Sequence, residues 1–344
     1  MNPPDPISLR QFLLAEHERH PDAPRITAAM EDIAQATRKI SHLVSRGQLG
    51  GMLGSAGTAN VQGETQKRLD VIANDVMLES LASSDHWIGL ASEEMEHSLA
   101  VATESERGYL CLFDPLDGSS NIDINGSIGT IFSILRCPTA ARRPQDHHFL
   151  QPGTEQVAAG FTLYGPATVL VLTTGHGVNG FTLDRGTGEY LLTRADMRIP
   201  EDTEDFSVNM SNRGYWATPM RDYVDECMRG SEGERSKHFN MRWVGSMVAD
   251  VYRVLCQGGI FLYPWDSRDP GKPGKLRLMY EANPMSFIVE QAGGASSTGL
   301  QRILDIQPKA LHERCPVALG SRHEVQRVVA CHRSAMSQLR GVTP

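Results

Sequence analysis

The sequence predicts a layered α/β protein built from two closely packed lobes. Apolar residues near the N-terminus recur at helical spacing, short apolar segments separated by glycine and proline fill the middle, and helix and strand patterns alternate in the last third. An acidic stretch at 200–205 marks the boundary between the lobes, which we expect to span residues 8–200 and 201–339.

The N-terminal part is predicted to be helical. Ser8 and Gln11 form a capping-box pattern ahead of an apolar run, and Thr27 can cap a second helix that ends at Gly47. The glycine-rich stretch 50–57 is typical of a mobile loop. It differs from a phosphate-binding P-loop because no Gly-Lys-Ser/Thr follows it. A third helix is expected from about residue 64 to residue 82.

Short strands are predicted to form a meander in the first lobe, at 87–91, 110–113, 129–135, 157–163, 167–173, 180–183 and 190–192. In the second lobe, helices near 220–228, 248–257 and 284–291 alternate with strands near 260–263, 304–306 and 317–319. Ser321 and Glu324 repeat the capping-box pattern at the start of the last helix.

The composition limits the kinds of molecule that this protein is expected to bind and the compartment in which it is expected to work. The formal net charge of -8 disfavours nucleic acid, which needs a concentrated basic face. No apolar run is long enough for a transmembrane helix and no signal-peptide pattern is present, so we expect a cytoplasmic protein that does not bind membranes. The 6 cysteines form no C-x-x-C pair, which favours inert, reduced thiols, with redox regulation as the alternative.

The most informative stretch is 113–121, Phe-Asp-Pro-Leu-Asp-Gly-Ser-Ser-Asn, which follows a predicted strand. Asp114 therefore stands at a strand end, where a sheet presents groups to a ligand. Pro115 is expected to stop the strand, and Gly118 permits a turn whose backbone N–H groups point to one place. Two carboxylates beside such a turn suit a magnesium phosphate, because hard cations take oxygen ligands. An ordinary Asp-Gly turn with hydrated carboxylates is the alternative.

Further acidic residues stand at comparable places. Glu93 and Glu94 follow another predicted strand, Glu281 begins a predicted helix, and Glu64 and Asp70 follow the glycine-rich stretch. Each could be a hydrated surface group, or, for Glu281, an acid that complements the helix dipole. Their joint occurrence at strand ends and helix starts favours a polynuclear metal site.

Residues 114–121 resemble the signature of the lithium-sensitive, metal-dependent sugar-phosphatase superfamily, which includes inositol monophosphatases and fructose-1,6-bisphosphatases. The wider sequence resembles class I fructose-1,6-bisphosphatases from about residue 8 to residue 339, through segments 92–94, 127–132, 244–250, 258–264, 274–277 and 280–285. The resemblance implies an α-β-α-β-α sugar-phosphatase fold and hydrolysis of the 1-phosphate of fructose 1,6-bisphosphate, in gluconeogenesis or the Calvin cycle. It also implies magnesium or manganese, at two or three ions per subunit, and a homotetramer.

Matched motif by motif, the resemblance assigns roles to individual residues. The metal ligands would be Glu93, Asp114, Asp117, Glu281 and the backbone carbonyl of Leu116. The groups that activate the attacking water would be Asp70 and Glu94. The phosphate that leaves would contact Asp117, Gly118, Ser119 and Ser120. The sugar and the second phosphate would contact Asn209, Tyr263, Lys275 and Arg242, the last reaching into a neighbouring subunit. The first lobe would thus carry the acidic metal site, and the second lobe the substrate contacts and one ligand.

Some positions differ from the family pattern or leave a choice. Glu64 stands where many members have an aspartate that joins a further metal, and Trp243 stands where tyrosine is common. An indole N–H can donate a hydrogen bond but cannot accept one. Asn212 is the alternative to Asn209. A sedoheptulose-1,7-bisphosphatase or a dual-substrate enzyme is the alternative function, and an inactive sugar-phosphate sensor is a more distant one.

The resemblance also implies weak inhibition by AMP. In animal-type members, backbone N–H groups bind the AMP phosphate in a turn that matches residues 23–27. Pro24 replaces a glycine there and has no N–H. Gly108 stands where those members have a phosphate-binding lysine, whereas Arg136 is retained and Arg25 could supply a substitute charge.

Overall fold

The computed structural model describes residues 6–16, 23–51, 54–59, 65–101, 108–138 and 143–341. Helix α1 (Leu9–Ala15) begins with the predicted capping box: Gln11 N–H donates to Ser8 Oγ at 3.3 Å, and Ser8 N–H donates to Gln11 Oε1 at 2.8 Å. Helix α2 (Ala23–Arg46) already includes Thr27, so the prediction of a cap there is wrong. Pro24 fits the first turn of α2, where its missing N–H costs no intrahelical bond.

The end of the glycine-rich stretch belongs to a hairpin, which the sequence did not predict. Strand β1 (Ser55–Ala59) pairs antiparallel with β2 (Thr65–Lys67), and helix α3 (Arg68–Ala82) follows. The predicted start of α3 is therefore too early. Glu64 lies outside the described residues.

A large mixed sheet follows. Its strands are β3 (Trp87–Ser92), β4 (Leu99–Ala100), β5 (Tyr109–Asp117), β6 (Ile128–Arg136), β7 (Gln156–Tyr164), β8 (Thr168–Thr173), β9 (Asn179–Asp184) and β10 (Glu189–Arg194). The order is β10-β9-β8-β7-β6-β5-β3-β4, in which β5 to β10 form the predicted antiparallel meander and β3 is parallel to β5. The short helix α4 (Asp146–Phe149) lies between β6 and β7.

The rest of the chain forms a second, smaller sheet and its helices. The helices are α5 (Thr218–Met228), α6 (Met247–Gln257), α7 (Asn283–Gln291) and α8 (Arg322–Gly341). The strands are β11 (Asp205–Ser207), β12 (Asn240–Met241), β13 (Ile260–Tyr263), β14 (Leu276–Arg277), β15 (Ala295–Ser297), β16 (Arg314–Cys315) and β17 (Val317–Gly320). The sheet order is β12-β11-β13-β17-β15, and β14 pairs separately with β16.

Two predictions in this part are wrong. Residues 303–305 form a 3₁₀ turn instead of a strand, since Ile306 N–H donates to the Ile303 carbonyl at 3.1 Å. A short apolar run does not distinguish the two by periodicity. At α8, the Ser321 N–H donates to the Gly259 carbonyl, and Glu324 accepts from Tyr223 Oη at 2.7 Å. The capping box is therefore not formed, because both of its members bind elsewhere.

Three apolar clusters separate five layers. One lies between α1–α3 and the large sheet, and it includes Met30, Met77 and Phe132. The second joins the large sheet through α6 and α7 to the smaller sheet. The third lies between the smaller sheet and α5 with α8, and it includes Tyr223 and Val328. This confirms the α-β-α-β-α fold. Because the second cluster is shared by both sheets, it supports close packing of the lobes, while their boundary near residue 200 stays a prediction.

Among the described residues, none of the helices combines the length and the apolar character that crossing a membrane requires.

Candidate active site

A bulge in β5 brings two aspartates to one place. Residues three apart in a regular strand point to opposite faces. Here the register against β6 shifts between Asp114 and Asp117, so both carboxylates face the same region. The expectation that Pro115 stops the strand is wrong, because its missing N–H falls at the bulge, where the ladder needs no donor. Leu116 N–H donates to Asp114 Oδ1 at 2.9 Å and fixes the bulge.

Glu93 and Glu281 complete the carboxylate cluster. Glu93 directly follows β3, and its N–H donates to the Phe113 carbonyl of the parallel strand β5 at 3.0 Å. Glu281 lies on a π-helical turn (Leu278–Ala282), a rare conformation that is frequent at functional sites. Carboxylate oxygens of Asp114, Asp117 and Glu281 lie within 4.8 Å of one another. All four carboxylates are at most 8% exposed, so hydrated surface groups are the wrong interpretation for them.

The buried guanidinium of Arg277 lies among these carboxylates. Arg277 Nη1 is 2.6 Å from Glu93 Oε1 and 3.7 Å from Glu281 Oε2, and the Arg277 N–H donates to Glu281 at 2.7 Å. A single guanidinium cannot balance four buried carboxylates. The excess of buried negative charge and the oxygen-only donor set fit a hard divalent cation.

The acidity of the cluster reflects this imbalance. Burial, reinforced by the charge of Glu281, raises the pKa of Glu93 to about 8. Burial also raises the pKa of Asp117 to about 7, although the Val248 N–H opposes it, and raises the pKa of Asp114 well above its ordinary value. Each of these carboxyls would lose its proton more readily beside a bound cation.

The turn after β5 adjoins helix α6. Gly118 has φ +79°, and an added Cβ would meet the Ser246 Cβ at 2.7 Å, so only glycine fits. Asp117 Oδ2 accepts from Ser246 Oγ and from the Val248 N–H, each at 2.9 Å. These bonds hold Asp117 against the N-terminus of α6. Gly118, Ser119 and Ser120 line one cavity together with the four carboxylates.

Asp70 and Glu94 also line that cavity. Asp70 is in the first turn of α3, where its Oδ2 accepts from the Lys67 N–H at 2.7 Å. Burial raises the pKa of Asp70 to about 7, and the charge of Glu94 adds to this effect. Gln66 Nε2 donates to Glu94 Oε2 at 2.5 Å, which fixes the orientation of the Glu94 carboxylate.

The predicted sugar contacts line the same cavity. Asn209, Tyr263 and Lys275 line the cavity, whose volume is about 330 Å³, whereas Asn212 does not. The structure therefore favours Asn209 over its alternative. Lys275 Nζ lies 6.0 Å from the centre of the Tyr263 ring, and Trp243 stacks on Phe261 with the ring centres 6.1 Å apart.

Of the predicted site residues that the structure describes, Arg242 does not line the cavity of its own chain. It is exposed beside the edge strand β12, and its N–H donates to the Phe206 carbonyl at 2.8 Å. Exposed apolar neighbours, Met241 at 43% and Val244 at 47%, flank it.

Comparison with known proteins identifies the family. The model of the fructose-1,6-bisphosphatase N-terminal domain matches residues 7–195, and that of the C-terminal domain matches residues 199–333. The chain belongs to the fructose-1,6-bisphosphatase family.

Solved structures of the family agree with this assignment. Leishmania major fructose-1,6-bisphosphatase in its holo form is 40% identical, has a TM-score of 0.88, and aligns over 96% of this chain and 100% of its own. The apo form of that enzyme has 38% identity and a TM-score of 0.82, and its T-state has 39% and 0.82. Both alignments cover 95% of this chain and 99% of the other.

Sequence reasoning missed three residues of this fructose-1,6-bisphosphatase site. Arg277 was only part of a matched segment, and its pairing with Glu93 depends on a contact between distant parts of the chain. Ser246 donates to Asp117. Asp250 accepts from Ser207 Oγ at 2.7 Å and from the Gly245 N–H at 3.2 Å. The available signal for Asp250 was an acid in the first turn of a predicted helix. That turn directly follows the loop that Asp250 fixes.

Proposed function

We propose that this chain hydrolyses the 1-phosphate of fructose 1,6-bisphosphate to give fructose 6-phosphate and phosphate. One observation carries the proposal: a single cavity joins a buried carboxylate cluster and a glycine turn to an exposed lysine with a tyrosine and an asparagine. The first set suits a reacting phosphate, and the second suits a distant phosphate. Family membership and the names of the similar structures support the same substrate.

The carboxylate cluster is the proposed metal site. Its ligands would be Glu93, Asp114, Asp117, Glu281 and the Leu116 carbonyl, holding two or three magnesium or manganese ions. Such ions, when bound, neutralise charge on the phosphoryl oxygens and lower the pKa of water. Arg277 balances part of the cluster's charge by pairing with both Glu93 and Glu281.

The remaining residues position the reactants and move the proton. Asp70 and Glu94 accept or orient the proton of the attacking water, and the raised pKa of Asp70, about 7, suits a general base near neutral pH. Gly118, Ser119 and Ser120 direct N–H groups at the phosphate that leaves the sugar. Lys275 and its neighbours hold the second phosphate and thereby align the first for in-line attack. No covalent phosphoenzyme is needed.

Phosphate release from a set of sugar phosphates tests the proposal. A sugar without the second phosphate would lose its charge-assisted contacts with Lys275 and with a partner's arginine, each of about 1.5–3 kcal/mol. We therefore expect kcat/KM to be roughly a hundredfold or more higher for fructose 1,6-bisphosphate than for fructose 1-phosphate. Fructose 6-phosphate, which lacks the reacting phosphate, should release none. Faster turnover of sedoheptulose 1,7-bisphosphate would support the alternative enzyme. No release from any of these sugars would support the inactive sensor.

The cysteines support a reducing compartment, and we propose a cytoplasmic enzyme of gluconeogenesis or the Calvin cycle. All of the cysteines are free, and burial raises the pKa of the Cys111 and Cys315 thiols. Thiols of this kind are poor nucleophiles at neutral pH.

We propose a homotetramer in which Arg242 completes the distal-phosphate site of a neighbouring subunit. Its exposure beside an edge strand and the apolar residues around it support an interface there. Arg242→Ala alone and Asp117→Asn alone should each be nearly inactive, whereas hybrids of the two should recover part of the activity. Hybrids that form, as shown by tagged purification, but stay inactive would contradict the shared site.

AMP should inhibit this enzyme weakly. Pro24 lies in the first turn of α2, and it has no backbone N–H to offer an anion there. Arg25 lies near enough to Tyr109 to lower its pKa, although burial raises that pKa to about 12, so Arg25 can offer a substitute charge. We expect AMP inhibition at least about a hundredfold weaker than that of a member with both missing contacts.

The measurement is an AMP titration against turnover for the wild type and for Pro24→Gly, which restores an N–H and should strengthen inhibition. A lysine at position 108 would be a poorer test, because a Cβ on Gly108 would lie 2.6 Å from Ile88. Cooperative inhibition of the wild type at low micromolar AMP would contradict the prediction.

A further inference from the structure

A half-buried histidine outside the proposed ligand set contacts the segments that carry Glu93 and Glu281. The Nε2 atom of His312 lies 2.8 Å from the carbonyl oxygen of Met95. The His312 ring stacks obliquely on Tyr280, with centres 5.3 Å apart and planes at 44°. Met95 lies two residues after Glu93, and Tyr280 directly precedes Glu281. One side chain therefore spans the backbone next to one proposed ligand and the ring next to another.

The surroundings of the ring fix its hydrogen-bonding state. Burial lowers the pKa of His312, against the opposing effect of the backbone at Met95 and Glu96, so the neutral imidazole is favoured. A neutral ring carries one N–H, and a carbonyl can only accept. The proton must therefore sit on Nε2 and point to Met95. Nδ1 is buried, and no residue in the described ranges bonds to it. The polar contacts of the ring thus go to the loop that carries Glu93.

The position of that loop matters because Glu93 and Glu281 are distant in sequence and carry like charges. Arg277 attracts both from the cavity side. Attraction alone does not define a separation, whereas a rigid ring in contact with both Met95 and Tyr280 does. We propose that His312 is a positioning residue that fixes the Glu93 loop relative to Glu281 and so preorganises the two carboxylates for a divalent cation. This inference rests on the proposed metal site.

Direct binding of Mn²⁺ to the full-length chain, followed by calorimetry, tests the proposal. His312→Phe keeps a flat ring beside Tyr280 and removes the bond to Met95. We expect it to weaken Mn²⁺ binding about tenfold, the range found when a residue that orients a ligand is removed. The Mn²⁺ concentration for half-maximal activity should rise in parallel, with the KM for fructose 1,6-bisphosphate unchanged. His312→Gln retains an N–H donor of similar reach and should restore most of the affinity.

His332 provides a matched control, because its Nδ1 lies 2.9 Å from the Val328 carbonyl within α8, away from the cavity. His332→Phe removes a comparable bond and should leave Mn²⁺ binding at the wild-type value. Unchanged binding in His312→Phe, or equal weakening in His312→Gln and His312→Phe, would overturn the role of the bond. The variant Glu93→Gln distinguishes an error in the proposed metal site from an error in the role of His312. If it also binds Mn²⁺ like the wild type, the metal site itself is wrong. If only Glu93→Gln weakens binding, His312 alone is misassigned.

Discussion

Glu93→Gln is expected to lower kcat at least roughly a thousandfold with Mg²⁺ saturating, which corresponds to about 4 kcal/mol in the activation barrier. The amide keeps the size of the side chain and removes one negative ligand. It also leaves the 2.6 Å contact of Arg277 Nη1 without its charged partner. Charge balance and ligand geometry therefore fail together in a site whose carboxylates are all buried. The measurement is steady-state phosphate release at increasing Mg²⁺.

The matched control is Glu324→Gln. Glu324 is 1% exposed, pairs with Arg235 and accepts from Tyr223, so it is a buried glutamate with an arginine partner outside the cavity. We expect this variant to lose stability but to retain kcat within about threefold, a change of less than 1 kcal/mol. Activity of Glu93→Gln within about tenfold of the wild type would refute its assignment as a ligand. Equal losses in both variants would attribute the effect to folding.

The positions of the acidic residues could be predicted because they depend on local rules. Glu93 directly follows the apolar strand β3, and Asp114 follows the apolar run 110–113, although β5 continues through it to Asp117. The strand at residues 260–263 was predicted to the residue for a related reason, since glycines and a proline bound it closely. These features need only the residue types within a short window.

The features that sequence reasoning missed depend on contacts between distant segments. The β5 bulge requires β6 as its partner, and without it Pro115 could only be interpreted as a strand end. In the sequence, Arg277 cannot be distinguished from an ordinary basic residue that follows a glycine and a lysine. Its role becomes visible only when the fold places Glu93 beside it. The role of His312 depends on Met95 and Tyr280, which no spacing rule connects. The capping box predicted at α8 fails for the same reason, because Ser321 and Glu324 bind Gly259 and Tyr223.

Without divalent cations, the stability of the folded chain is expected to fall as the pH rises from about 5 to about 8. The pKa of Glu93 is raised to about 8 and that of Asp117 to about 7 by burial, whereas the same groups ionise near pH 4 in an unfolded chain. Over this window the folded state therefore holds more protons than the unfolded state. Its stability is greatest at the acidic end and falls through the window. Added Mg²⁺ should reverse the loss, since it binds only the ionised, folded cluster.

Urea unfolding with a chelator at each pH measures this slope, which is about 1.4 kcal/mol per pH unit for each extra proton held by the folded state. Asp117→Asn can still accept from Ser246 and Val248 through its amide oxygen but cannot ionise. It should flatten the slope and be more stable than the wild type at about pH 8, although inactive.

Asp184→Asn is the control, because the Gly186 N–H lowers the pKa of that exposed carboxyl. Asp184 is ionised in both states above about pH 5, so its removal should leave the slope unchanged. A wild-type stability that rises with pH in the chelator would mean that the cluster is already compensated without a cation, and the charge imbalance that supports a metal site would be wrong.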